Sequence, residues 1–178
     1  GAAQLRQALN AAWAVLKGAK PEAITVWVPE SATPLVGPAM QALADASYVF
    51  TTTKPSAKPS GISHVNFGVP DSRSAQALFA FAKAQVAGVS LAREWANRPA
   101  NHATPTHLAE TAKTIASGRA FKCEVLGPKE VAKLGMGAFM AVAQGAAEPL
   151  RFIVMRYNGA ATSQAPVVLV GKGITFDT

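Results

Sequence analysis

The stretch from Pro166 to Thr178, PVVLVGKGITFDT, constrains the fold of this chain more than any other part of the sequence. Val167 to Val170 form a continuous aliphatic run, which is typical of a strand buried on both faces of a parallel sheet. Two glycines, Lys172 and Asp177 follow this run directly. In open α/β sheets ligands bind beyond the carboxyl ends of the strands, and glycine allows close approach of the backbone. The pattern therefore predicts a buried strand that ends at a site.

A glycine and a lysine after a strand also occur in phosphate-binding loops. The Walker pattern requires a glycine five residues before its second glycine and Ser or Thr after the lysine, but this sequence has Pro166 and Gly173 there. The dinucleotide pattern Gly-x-Gly-x-x-Gly does not occur anywhere in the chain. The sequence therefore excludes both kinds of nucleotide site at Lys172.

Helical and strand-like patterns alternate along the rest of the chain, which is typical of an α/β protein. Strands at this spacing, with helices between them, predict a mostly parallel sheet. The turn at Asn158-Gly159 leaves open an antiparallel hairpin between the last two strands. Six helices are predicted: over 2–17, from an N-cap at Thr33 onwards, over 71–97, from Thr104-Pro105 to Gly118, over 128–134 and over 138–143. Strands are predicted over 24–28, 64–69, 121–125, 151–157 and 166–170.

Composition bounds the class of protein. With 49% hydrophobic and 15% charged residues, the chain is expected to fold into a globular structure. No run approaches the roughly 20 apolar residues that span a membrane, and residues 1–20 lack the pattern of a signal peptide. The single cysteine, Cys123, has no internal disulfide partner, as is common in the reducing cytoplasm. We therefore expect a cytoplasmic protein without a membrane partner.

The formal charge of +7 would suit a polyanionic partner, but no two basic residues are adjacent in the sequence. This scatter argues against nucleic acid, although a basic interaction or nucleic-acid-binding module is kept as the alternative class. His102 and His107 are five residues apart and do not form the i, i+4 pair of zinc helices. His64 has no second ligand at a metal-like spacing, so we predict a structural role for it.

Several motifs together point to one family. The string VGKGITFDT, with Asn97-Arg98-Pro99-Ala100-Asn101, Thr104-Pro105 with Leu108-Ala109, and Tyr157-Asn158-Gly159, resembles the M17 leucyl aminopeptidase family. The resemblance covers the second half of the chain. In that family the motifs continue well beyond the aspartate, whereas these residues stop at Thr178, so we expect a chain truncated after the first metal-binding motif.

The resemblance implies a domain organisation. Residues 1–70 would be the later part of a small N-terminal α/β domain, and 71–96 a connecting helix. Residues 97–178 would be the first, incomplete part of a mostly parallel α/β catalytic domain.

The resemblance also implies a metal-dependent aminopeptidase that releases N-terminal amino acids, leucine-type, from peptides with a free N-terminus. Asp177 matches the bridging ligand of two divalent ions, Zn²⁺ or Mn²⁺, and Lys172 matches an unusual amine ligand of the second ion. Only the neutral amine has a lone pair, and a nearby dication together with burial favours that form. The other ligands and the catalytic Lys and Arg would follow Thr178, so no catalytic residue is assigned here and the segment alone is expected to be inactive. Family members assemble as hexamers, which implies a homo-oligomer.

Overall fold

The computed structural model describes residues 1–117 and 121–175. The chain forms two compact units, Gly1–Asn97 and Arg98–Thr178, and each is described here by itself. The predicted division at residues 70 and 96, into parts of two larger domains and a connecting helix, stays a prediction.

Three helices form much of the first unit: α1 (Ala2–Leu16), α2 (Val36–Ser47) and α3 (Ser72–Asn97). α2 packs against both α1 and α3. Small residues bring α2 close to α3, since a Cβ added at Gly37 would lie 3.5 Å from the Cβ of Ala82. Apart from Trp13, the buried side chains of these helices are small or aliphatic, namely Val36, Ala39, Ala42, Leu43, Ala75 and Ala82.

The first unit also contains a parallel pair of strands, β1 (Ala23–Trp27) and β2 (His64–Gly68). Ala23 lies opposite His64, and Trp27 lies opposite Gly68. The connection between the strands includes α2, as parallel pairing requires a crossover. The mixture of helices with a parallel pair confirms the predicted α/β class.

The second unit is built on an antiparallel pair of strands. Phe121 lies opposite Tyr157, with ring centroids 4.9 Å apart, and the ring of Phe139 meets Phe152 edge to face at 5.6 Å. The first helix of the unit packs against both strands. The parallel pair of the described chain therefore lies in the first unit, and the pair in the second unit is antiparallel. Its elements are α4 (Pro105–Ala116), β3 (Phe121–Leu126), α5 (Pro128–Lys133), α6 (Gly137–Ala143) and β4 (Phe152–Tyr157).

The remaining sequence predictions agree with these bounds to within one residue at most ends, with two exceptions. The first exception is the start of the helix predicted from an N-cap at Thr33: the helix is present as α2, but the predicted cap was wrong. Glu30–Leu35 instead form a 3₁₀ helix with Pro34 inside it, and α2 begins at Val36 without a side-chain cap. Proline has no N–H to donate to the preceding turn, and short 3₁₀ turns are frequent at the N-termini of α-helices.

The second exception is the predicted strand over 166–170, which the structure contradicts. These residues have no regular secondary structure, and Val167, Val168, Leu169 and Val170 are 90, 72, 92 and 92% exposed. A strand needs a neighbour that satisfies its N–H and C=O groups, and no strand of the described residues pairs with this segment. The run is aliphatic in composition, but no sheet of the described residues buries it.

α3 is long and apolar enough to cross a membrane by length and composition only, which is weak evidence for a membrane span. Core helices of water-soluble proteins pass the same test. α3 packs along α2 and carries Arg93 and Glu94 in contact with side chains of the first unit.

Candidate metal-binding segment

Lys172 lies in the stretch that follows β4, where residues 158–175 contain neither helix nor strand. The residue is exposed, so the burial predicted for it at the end of a sheet is not present. A Cβ added at Gly171 or Gly173 would have no heavy atom within 4 Å, so there is open space beside both glycines. Asp177, the second predicted ligand, lies outside the described residues.

The described residues supply no cluster of metal-ligating side chains. Over residues 1–117 and 121–175, no three or more His, Cys, Asp or Glu side chains form a group that could hold a metal ion. An amine and a carboxylate suit Zn²⁺ or Mn²⁺ chemically, but two donors do not complete a dinuclear site. The predicted donors therefore fit the metal in kind, and the site needs ligands from elsewhere.

The histidines occupy places that local structure explains. The Nδ1 atom of His64 on β2 lies 2.8 Å from the Oγ atom of Ser63, and His64 is exposed. In the first turn of α4, the backbone N–H of His107 donates to Oγ1 of Thr104 at 3.3 Å. This bond confirms Thr104 as the predicted N-cap, with Pro105 at the first helical position.

Two exposed carboxylates have a lowered pKa because they accept hydrogen bonds at the start of helices. The backbone N–H of Arg73 donates to Oδ1 of Asp71 at 2.9 Å, and this bond lowers the pKa of Asp71. The pKa of Glu130 is lowered by its own backbone N–H and by that of Gly127, which donates to Oε2 at 3.0 Å. Helix capping explains both shifts, so neither carboxylate is a candidate catalytic group.

Sequence analysis missed an open groove of about 640 Å³ in the first unit. It runs beside β2 and the first turns of α3, and none of the predicted site residues lines it. Residues from three separate elements form its walls, so no local motif could have indicated it. Its lining includes Val36, Val65, Phe67, Arg73 and Phe79.

The comparisons with known proteins agree with the motifs. The family model for the catalytic domain of the cytosol aminopeptidase family matches residues 90–178. A probable cytosol aminopeptidase of Acidovorax ebreus (strain TPSY) is 63% identical over 143 residues, which cover 80% of this chain and 29% of the relative. One of a Polaromonas species (strain JS666) is 55% identical over 177 residues, covering 98% of this chain and 35% of the relative.

A solved structure shows the same fold. A mutant of tomato leucine aminopeptidase superposes with a TM-score of 0.76 at 24% sequence identity, over 88% of this chain and 34% of that protein. The chain spans about a third of the length of the relatives that it matches. By the match of its second half, which contains Lys172 and Asp177, this chain belongs to the cytosol aminopeptidase family and carries part of its catalytic domain.

Proposed function

We propose that this chain is part of a metal-dependent aminopeptidase that releases N-terminal amino acids, leucine-type, from peptides. The match of residues 90–178 to the catalytic domain carries the proposal. The relatives are named probable cytosol aminopeptidases, and the structural neighbour is a leucine aminopeptidase. Because the chain spans about a third of those proteins, the activity proposed is that of the whole protein.

Within that protein, Lys172 and Asp177 would be ligands of two divalent ions, Zn²⁺ or Mn²⁺. When bound, the ions would supply a Lewis acid for the scissile carbonyl and lower the pKa of a water molecule. Lys172 would contribute the lone pair of its neutral amine, and Asp177 would contribute carboxylate oxygens.

Two donors give weak metal affinity, so the 178-residue chain alone is expected to be inactive. The whole protein would be a cytoplasmic homo-oligomer, a hexamer in line with its family, that acts on peptides with a free N-terminus. No membrane or nucleic-acid partner is part of this proposal.

The test uses the complete protein that carries this sequence, with Lys172→Arg and Asp177→Asn variants. Arginine stays protonated and has no lone pair to offer, and asparagine keeps the shape of aspartate while losing the charge. We expect each variant to contain less metal by elemental analysis and to lose hydrolysis of a leucine anilide by at least about a hundredfold.

Lys133→Arg is the matched control, because Lys133 is an exposed lysine at the end of α5. It should keep wild-type metal content and activity. Wild-type metal content in Lys172→Arg would refute the ligand assignment, whereas a metal-loaded wild-type protein without aminopeptidase activity would refute the proposed reaction.

A further inference from the structure

The two halves of α3 are held in different ways. Its buried residues, Ala75 and Ala82, both lie in the first half, and no residue of the second half is fully buried. Gly88 weakens the middle of the helix by roughly 1 kcal/mol relative to alanine. The last turn has no basic residue to interact with the helix dipole, and Pro99 disfavours helical backbone just beyond Asn97. The second half therefore depends on contacts with other elements.

Asp45, in the last turns of α2, supplies one set of these contacts. Its carboxylate accepts hydrogen bonds from the Arg93 guanidinium of α3 and from Nε2 of Gln41 at 2.8 Å. Nη1 of Arg6, on α1, donates to the same carboxylate at 3.4 Å. One side chain thus joins three helices, and Asp45 is only 25% exposed.

Tyr48, which directly follows α2, supplies the second set. The Arg93 guanidinium lies 4.9 Å from the centre of the Tyr48 ring. The Tyr48 hydroxyl donates to Oε2 of Glu94 at 3.2 Å and accepts from Nδ2 of Asn97 at 3.1 Å. The hydroxyl of Thr52 donates to the other oxygen of Glu94. Three side chains from the end of α3 therefore converge on the segment after α2.

We propose that these side chains form a polar latch that holds the last two turns of α3 helical and places the end of the helix at Asn97. Opening the latch unwinds those turns, while the alanine-packed first half of α3 stays on α2. Asn97 is also the last residue of the first unit, so the latch determines where the chain leaves that unit. The latch comprises Arg6, Gln41, Asp45, Tyr48, Thr52, Arg93, Glu94 and Asn97.

Local unfolding is the physical basis of this proposal. Segments with few buried apolar contacts open at a lower free energy than the core, and a two-part helix can lose one part alone. Hydrogen bonds to charged groups in partly desolvated positions are stronger than neutral ones, so the latch can compensate for the missing apolar contacts.

Hydrogen exchange in the complete protein tests the latch, with peptides that separate residues 89–97 from residues 75–86. Asp45→Asn removes the charge with little change of shape, and Tyr48→Phe removes only the hydroxyl. We expect either variant to raise exchange at 89–97 by about tenfold and to leave exchange at 75–86 near wild type. The double variant should raise exchange at 89–97 by less than the product of the two single effects, because the latch opens as a unit.

Lys83→Ala is the control, since Lys83 is an exposed residue of the same helix. It should change neither region. Equal increases across both regions in Asp45→Asn and Tyr48→Phe would indicate global destabilisation and overturn the proposal. Unchanged exchange at 89–97 in both variants would overturn it as well.

Discussion

The guanidinium of Arg93 lies between Asp45, which accepts its hydrogen bond, and the ring of Tyr48, whose centre is 4.9 Å away. Both partners come from the end of α2, so a single arginine on α3 is bound through its charge and through its planar face. Lysine has a compact charge without a planar fork and reproduces this arrangement poorly.

Arg93→Lys should therefore lower the free energy of unfolding by about 1 kcal/mol, although the charge is kept. Urea unfolding measures this loss, and a double-mutant cycle with Tyr48→Leu isolates the contact with the ring. We expect a coupling energy of about 0.5–1 kcal/mol. Arg73→Lys is the matched control on α3, and a loss of equal size there would show that the contacts of Arg93 are not the cause.

The stability contribution of Asp45 should depend on pH. Burial raises the pKa of Asp45, but hydrogen bonds from Arg93 and Gln41 and the charges of Arg93 and Arg6 outweigh it and lower the pKa below its usual value. Because the pKa of Asp45 is lower in the folded state, its carboxylate stabilises the fold fully at pH values above its pKa in the unfolded chain, near 4. This stabilisation is lost as the pH falls through the pKa of Asp45 in the folded state.

Asp45→Asn should accordingly cost about 1 kcal/mol at pH 7, a figure reduced because the pair is partly exposed. The difference between wild type and variant should shrink as the pH falls below 4. Unfolding curves at a series of pH values test this expectation. A difference that is constant down to pH 2 would mean that the Asp45 charge contributes nothing.

Gly88→Ala should stabilise the first unit. A Cβ at this position meets no heavy atom within 4 Å, so alanine gains helix propensity without a clash. The expected gain is about 0.5–1 kcal/mol, read from thermal or urea unfolding. Gly68→Ala is the opposite case, because its Cβ would overlap the ring of Trp27 on β1, and we expect it to destabilise. A loss of stability in Gly88→Ala would contradict the open surroundings of this residue.

Thr104→Ala should destabilise the second unit by about 1 kcal/mol, because it removes the oxygen that accepts the backbone N–H of His107 at the start of α4. Thr104→Ser keeps that oxygen and should remain close to wild type in the same unfolding measurement. If the serine variant were as unstable as the alanine variant, the methyl group of Thr104 and not the cap would be responsible.

The sequence predicted the local elements well because neighbouring residues encode them. Thr104-Pro105 marked the start of α4, and apolar spacing marked α3 to its last residue, Asn97. The string that contains Lys172 and Asp177 identified the family, since it is a contiguous motif whose recognition needs no fold. The ligand roles of those two residues remain predictions.

Tertiary structure alone decided what depends on distant partners. The aliphatic run 167–170 has the composition of a buried strand, yet it is exposed because strand formation requires a neighbouring strand that composition does not supply. The antiparallel pairing of β3 with β4 and the meeting of Asp45 and Tyr48 with Arg93 were likewise invisible in the sequence. Local propensity and motifs depend on adjacent residues, whereas burial and hydrogen-bond networks depend on which distant segments the fold brings together.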